Sequence, residues 1–246
     1  MAKLIKFVAV GDNHGDMIDV DVAKEFYKFL KWFDPDEIIH LGDNFDFRSI
    51  RRGAGRKEED ESLVADVKAG KDFISRVQPT IFLNGNHDDR LDQIIDGSTH
   101  GMMVDYCYDL KQSIRSHLKK NGCKKIYDYH AEDGVHSLGN IKFVHGYGCS
   151  KVAVEEHAIH FADRGGAVIM GHLHSIQQVN AKKQGGAVGF SGGCLCQKKA
   201  MAYAKNRLGT SKWGSGWTYG FVQGKDWKVW QAHRVGKRFI YSVKGL

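Results

Sequence analysis

The chain has 246 residues, 42% hydrophobic and 26% charged, an ordinary globular composition long enough for one large core. No apolar stretch approaches the roughly 18 residues of a membrane span, and the opening residues lack the apolar centre of a signal peptide, so a soluble cytoplasmic protein is expected. The net charge of +7 is uneven: from Gln197 to Leu246 eleven Lys/Arg stand against one acid, Asp226, leaving +10 on that part and −3 on the rest. Such a basic part suits an acidic or nucleic-acid partner.

In chain order, residues 4–10 read as a first strand. Residues 20–33 have helical periodicity, with Val22, Phe26, Phe29, Leu30 and Phe33 on one face, and Asp34-Pro35 stops them. Residues 38–41 are a second apolar strand, and the β-α-β order predicts a right-handed crossover. A polar loop with Arg48, Arg51, Arg52 and Arg56 leads to Glu58, Glu59, Asp60 and Glu61, acids that favour a helix start; the helix is expected to run to Val77. Residues 80–83 are a strand, 88–95 a short helix and 103–120 a longer one. Strands over 123–129 and 141–144 flank a turn at Leu138-Gly139-Asn140, a helix covers 151–163, and 167–170 is a strand. After His174 the pattern turns all-β, with strands expected at 176–180, 187–190, 219–222 and 229–233. The stretch 198–216 is basic and aromatic-bearing and has no assigned element. Two prolines and no Ser/Pro-rich tract leave no linker, so one domain over 1–246 is expected, with a basic, aromatic-rich C-terminal part from about 197.

Five of these apolar runs end in the same way. They lead into Gly11-Asp12-Asn13-His14-Gly15, Gly42-Asp43-Asn44, Asn84-Gly85-Asn86-His87-Asp88, His145-Gly146 and Gly171-His172-Leu173-His174. Each is a buried strand, a tight turn, then Asp, Asn or His. Taken singly each has a plain reading: turn chemistry for Asp12 and Asp43, a helix cap for Asp88, surface histidines for His172 and His174. Five strand ends that all deliver oxygen or imidazole donors point instead to a shared metal site. The donors are O and N with no thiolate, which suits Mn²⁺, Fe or Zn²⁺ rather than a structural zinc. The five cysteines (Cys107, Cys123, Cys149, Cys194, Cys196) read as reduced thiols. Cys194-x-Cys196 is half of a zinc motif with no second half.

The ordered set G-D-N-H-G, G-D-N-F-D, G-N-H-D, V-H-G and G-H-L-H, spanning Gly11 to His174, resembles the calcineurin-like metallophosphoesterase superfamily. The resemblance implies an α/β fold, a four-layer α-β-β-α sandwich of two mixed β-sheets flanked by helices. It implies two divalent ions, with Mn²⁺ first and Fe or Zn²⁺ as alternatives. Asp12, His14 and His174 would bind one ion, Asn86, His145 and His172 the other, and Asp43 both. A hydroxide between the ions would attack the phosphorus of a phosphoester, with His87, hydrogen-bonded to Asp88, donating to the leaving oxygen or binding the phosphate. Arg48 and Arg90 follow the second and third motifs and are candidate phosphate clamps. G-D-N-F-D with G-N-H-D looks closer to the phosphodiesterase and DNA-repair nuclease branches than to the protein phosphatases. The implied activity is a phosphatase or phosphodiesterase. The alternative is a DNA or RNA nuclease using the basic tail with Trp213, Trp217, Trp227 and Trp230. A non-catalytic scaffold ranks last, since the ligand histidines are all present.

Overall fold

The computed structural model describes residues 2–198 and 212–241. Residues 199–211, most of the unassigned basic stretch, lie outside the described residues.

The first half builds a parallel sheet by β-α-β steps. β1 (Leu4–Val10) alternates so that Phe7 and Ala9 face one side while Val8 and Val10 face the other, all fully buried. α1 (Val20–Phe33) covers the second side with Val22, Phe26, Phe29 and Phe33. The Asp19 side chain accepts from the backbone N–H groups of Asp21 and Val22, a cap worth about 1 kcal/mol. β2 (Glu37–His40) pairs parallel to β1. The acidic run does not open one helix to Val77. A single turn, α2 (Arg56–Glu59), precedes α3 (Leu63–Val77), because the Ser62 hydroxyl accepts from Ala65 N–H and restarts the helix there. β3 (Ile81–Leu83), α4 (Arg90–Gly97), α5 (Gly101–Lys120) and β4 (Lys125–Tyr127) complete this half.

The second half begins with a hairpin, β5 (His136–Leu138) and β6 (Ile141–Val144), turning at Gly139-Asn140. α6 (Ala153–Phe161) then leads to β7 (Gly166–Met170), followed by β8 (Ile176–Asn180) and β9 (Ala187–Gly192). β10 (Gly216–Gln223), β11 (Asp226–Val235) and β12 (Arg238–Ile240) return to the first sheet, where β10 pairs antiparallel along β1. Two mixed sheets result, ordered β12-β11-β10-β1-β2-β3-β4 and β5-β6-β7-β9-β8.

The sheets face each other through Phe7, Ala9, Ile39, Leu41, Ile81 and Leu83 on one side and Ile141, Phe143, Ala167, Ile169 and Phe190 on the other. The outer face of the first sheet is covered by α1, α3 and α5, and that of the second by Val154 and Ala158 of α6. This is the four-layer α-β-β-α sandwich. Parallel β1, β2 and β3, and parallel β6 and β7, all end at the same edge of the interior, so the loops that follow them meet there. No helix among the described residues is long and apolar enough to cross a membrane.

Candidate metal centre

The loops at this edge carry an unusual backbone. Asp12, His14, Asp43, His172 and His174 all have left-handed φ angles, between 50° and 68°. They are five of the eight non-glycine residues with positive φ among those described. Such a conformation costs an L-residue on the order of 1 kcal/mol or more and clusters where side chains must be aimed. Backbone ties hold the turns: Asp12 N–H donates to Gly42 C=O at 2.9 Å and His14 N–H to Asp43 C=O at 3.0 Å. Gly85 packs so closely under the Asp43 carboxylate that a Cβ there would collide with it.

The side chains form two groups that share Asp43: Asp12, His14, Asp43 and His174 in one, Asp43, His145 and His172 in the other. In the first, His14 Nε2 lies 3.1 Å from His174 Nε2, which lies 3.2 Å from Asp12 Oδ1. In the second, Asn86 Oδ1 lies 3.0 Å from His145 Nε2 and 2.8 Å from His172 Nδ1. One oxygen, Asp43 Oδ2, is 3.8 Å from His14 Nε2 and 3.4 Å from His145 Nε2, so it faces both groups. Two donors that each sit about 2.0–2.2 Å from a shared ion stand roughly 3–3.5 Å apart. The observed spacings, 2.8 to 3.8 Å, bracket that requirement. The residues fit divalent ions.

Each donor is aimed by its other end. His87 N–H donates to Asp43 Oδ1 at 2.8 Å, which leaves Oδ2 for the centre. His145 Nδ1–H donates to Leu41 C=O at 2.8 Å, and His14 Nδ1–H to Asp46 Oδ1 at 3.0 Å. His172 N–H reaches both Asp12 oxygens at 3.1 Å. Such outer partners fix a ring's tautomer and orientation. The electrostatics show a site that demands positive charge. Burial would raise the Asp43 carboxyl, yet the His145 and His87 rings outweigh it and hold it well below the usual range. Burial opposes a charge on His145, but Asp43 and Asp12 push that ring up to about 9. His172, buried and beside His145, falls to about 4.

All seven expected ligands meet here: Asp12, His14, Asp43, Asn86, His145, His172 and His174. His87 is at the rim, its Nε2 3.9 Å from Asp43 Oδ2. Its expected partner is corrected. His87 Nδ1 pairs with Asp46 Oδ1 at 2.7 Å, not with Asp88. Asp88 turns away and ties two loops together, accepting from Gly85 N–H at 2.8 Å and Phe45 N–H at 3.0 Å. Burial and the nearby Asp43 charge push its carboxyl up to about 7. Arg48 does not stand ready as a clamp: it holds Asp16 through two bonds of 2.7 and 2.9 Å and also pairs with Glu61. Arg90 donates to Asp46 C=O and brings Nη2 to 3.4 Å from His87 Nε2.

Three residues to which the sequence reading gave no role at the site shape it. Asp46 holds both His14 and His87; its signal was the second acid of G-D-N-F-D, three residues beyond Asp43. Asp66, at the start of α3, accepts from Asp46 and Phe47 N–H and fixes that loop, a role with no sequence signature. Cys196 lies against His174, its Sγ 3.8 Å from Nδ1. The tryptophans are committed to packing. Trp217 is buried against Phe26 and Phe29, Trp227 meets Phe190, Trp230 lies on Tyr219, and Trp213 abuts His174.

A family model described as calcineurin-like phosphoesterase matches residues 5–176, and the chain belongs to that family. No curated protein matches the chain. Among solved structures it is similar to a conserved protein of Streptococcus pneumoniae TIGR4 described as a predicted phosphoesterase, with 13% identity over 93% of this chain and 89% of that one and a TM-score of 0.39. It is also similar to Vps29 from Cryptosporidium parvum, with 11% identity, 97% and 95% coverage and a TM-score of 0.48. The phosphoesterase Yfce from E. coli has 14% identity, 92% and 96% coverage and a TM-score of 0.43.

Proposed function

We propose that the chain hydrolyses phosphoesters with two divalent ions, Mn²⁺ foremost and Fe or Zn²⁺ as alternatives. Asp12, His14 and His174 hold one, Asn86, His145 and His172 the other, and Asp43 lies between them. The observation that carries this reading is that a single carboxylate oxygen, Asp43 Oδ2, faces both donor groups. When bound, such ions lower the pKa of water and neutralise charge on the phosphoryl oxygens. The chain's own residues do the rest. Asp46 holds His87 by Nδ1, so its Nε2 is turned to the centre; once protonated there, the ring would serve as the acid for a leaving oxygen. Arg90, beside that ring, is the cation placed to bind a phosphoryl oxygen. Asp88 supports the loops rather than the chemistry.

In this reading the chain is one domain, since β10 to β12 extend the sheet that β1 begins. A nuclease reading keeps the +10 tail in its favour. Its stacking platforms are weakened, because Trp217 is buried and Trp227 and Trp230 are half-buried against Phe190 and Tyr219. A small phosphodiester or monoester therefore ranks first.

The test is a Mn²⁺-supplemented assay on an aryl phosphate, an aryl phosphodiester and single- and double-stranded DNA, with His87→Ala alongside. Turnover that chelation abolishes and that falls about 10²–10⁴-fold in the variant is expected. Turnover that survives chelation, or equal rates for the two proteins, contradicts the proposal. If DNA is the substrate, binding weakens steeply with salt.

A further inference from the structure

We propose that Cys196 is a positioning residue for the metal centre: its sulfur holds the ring of His174 by Nδ1 and so keeps Nε2 turned towards the ion shared with Asp12 and His14. This rests on the two-ion reading above for its function, and on independent geometry for its residue.

His174 Nε2 faces His14 Nε2 at 3.1 Å and Asp12 Oδ1 at 3.2 Å. A ring that offers a lone pair on Nε2 carries its proton on Nδ1, and the atom recorded at Nδ1 is Cys196 Sγ, at 3.8 Å. His14 and His145 are fixed in the same way, by Asp46 and by Leu41 C=O. Cys196 therefore fills the position that a carboxylate and a carbonyl fill on the neighbouring ligands.

The sulfur is itself held. Cys196 is buried and bridges Ile18 in antiparallel fashion, and Gln197 N–H donates to Met17 C=O at 2.8 Å. Leu195 N–H donates to the Asp12 carbonyl at 3.2 Å, and Cys194 N–H to Gly214 C=O at 2.9 Å. The Cys196 thiol donates to the Cys194 sulfur, which leaves the Cys196 lone pairs for the ring. The Trp213 ring meets His174 edge-on at 4.1 Å and limits its rotation from another side. Residues 194–196 thus form a buried loop stitched to the Asp12 turn, with one sulfur aimed at a ligand ring. Sulfur is a weaker acceptor than a carboxylate or carbonyl oxygen, so the ring of His174 is held less firmly at Nδ1 than the rings of His14 and His145.

The experiment is calorimetric titration of Mn²⁺ into the full chain, its Cys196→Ala and Cys196→Ser variants, and Cys149→Ala as an exposed-thiol control. A Co²⁺ spectrum of the unmodified chain accompanies it. Cys196→Ala is expected to weaken one ion about 10–100-fold and leave the other unchanged. Cys196→Ser, which keeps an acceptor, recovers most of the loss, and Cys149→Ala matches the unmodified chain. The Co²⁺ spectrum shows no sulfur-to-metal charge-transfer band. Affinities in Cys196→Ala that match the unmodified chain for both ions overturn the proposal, as does a charge-transfer band, which makes Cys196 a direct ligand. Should Cys196→Ala fail to fold, the Ser variant and the spectrum still decide. Stoichiometry tests the two-ion reading separately: one ion in the unmodified chain removes that reading, while its weakening by Cys196→Ala still supports the role of Cys196 and an unchanged affinity still overturns it.

Discussion

Asp46 Oδ1 accepts from two rings at once, His14 at 3.0 Å and His87 at 2.7 Å. One ring is a proposed ligand and the other the proposed acid, so Asp46→Asn removes the charge that orients both. Ion affinity is expected to fall about 10–100-fold together with kcat. His87→Ala, by contrast, lowers kcat and leaves ion affinity unchanged. Titration calorimetry beside steady-state kinetics checks the contrast, and identical behaviour of the two variants contradicts it. The seven proposed ligands were legible as a set because each follows an apolar strand within a Gly- or Asn-marked turn. Asp46 was visible as a letter but not as a role, since its two partners lie 32 and 41 residues away in the chain. Cys196 stood out only as part of Cys194-x-Cys196, and nothing in the sequence tied it to His174, 22 residues earlier.

At the scale of single elements, the end of β2 carries a buried histidine that is no ligand. His40 Nε2–H donates to Asn13 Oδ1 at 2.9 Å, and its Nδ1 accepts from Gly42 N–H at 3.1 Å. Burial pushes this ring down to about 3. The unfolded chain takes up the proton below about pH 6.5 while the folded chain does not until about pH 3. The contribution is therefore fully present above pH 6.5 and is lost as pH falls, at about 1.4 kcal/mol per pH unit. Between pH 6.5 and 5 the chain should lose about 2 kcal/mol more than a His40→Asn variant, as urea denaturation at each pH would show. A parallel pH dependence in the two proteins contradicts this. α3 offers a packing test. A Cβ at Gly70 would strike the Phe45 ring and lie 2.8 Å from the Asn44 amide. Gly70→Ala is expected to destabilise by about 1–3 kcal/mol and to disturb the Asp43–Asp46 loop. α1 was readable to the residue because Asp19 caps it and Asp34-Pro35 ends it. β5 and β12, three residues each, are too short to show alternation and owe their pairing to neighbouring strands.

For the molecule as a whole, β1 has β2 on one side and β10 on the other. The first strand of the sheet is thus completed by residues more than 200 positions later, and β10 packs Trp217 and Tyr219 onto α1. A chain ending at 198 leaves the β1 edge open and the α1 face uncovered. It is expected to lose cooperative unfolding and Mn²⁺ affinity together, although it retains every ligand. Circular dichroism with metal titration tests this, and an intact truncated centre contradicts it. The two-sheet class was legible from the alternation of strands and helices followed by an all-β end. The return of that end to the first sheet was not, because long-range pairing leaves no local mark.

The most direct measurement is anomalous X-ray diffraction from crystals of the chain grown with Mn²⁺. The account predicts two peaks about 3.5–4 Å apart, one among Asp12, His14 and His174 and one among Asn86, His145 and His172, with Asp43 Oδ2 between them. A single peak, or manganese bound away from Asp43, would contradict it.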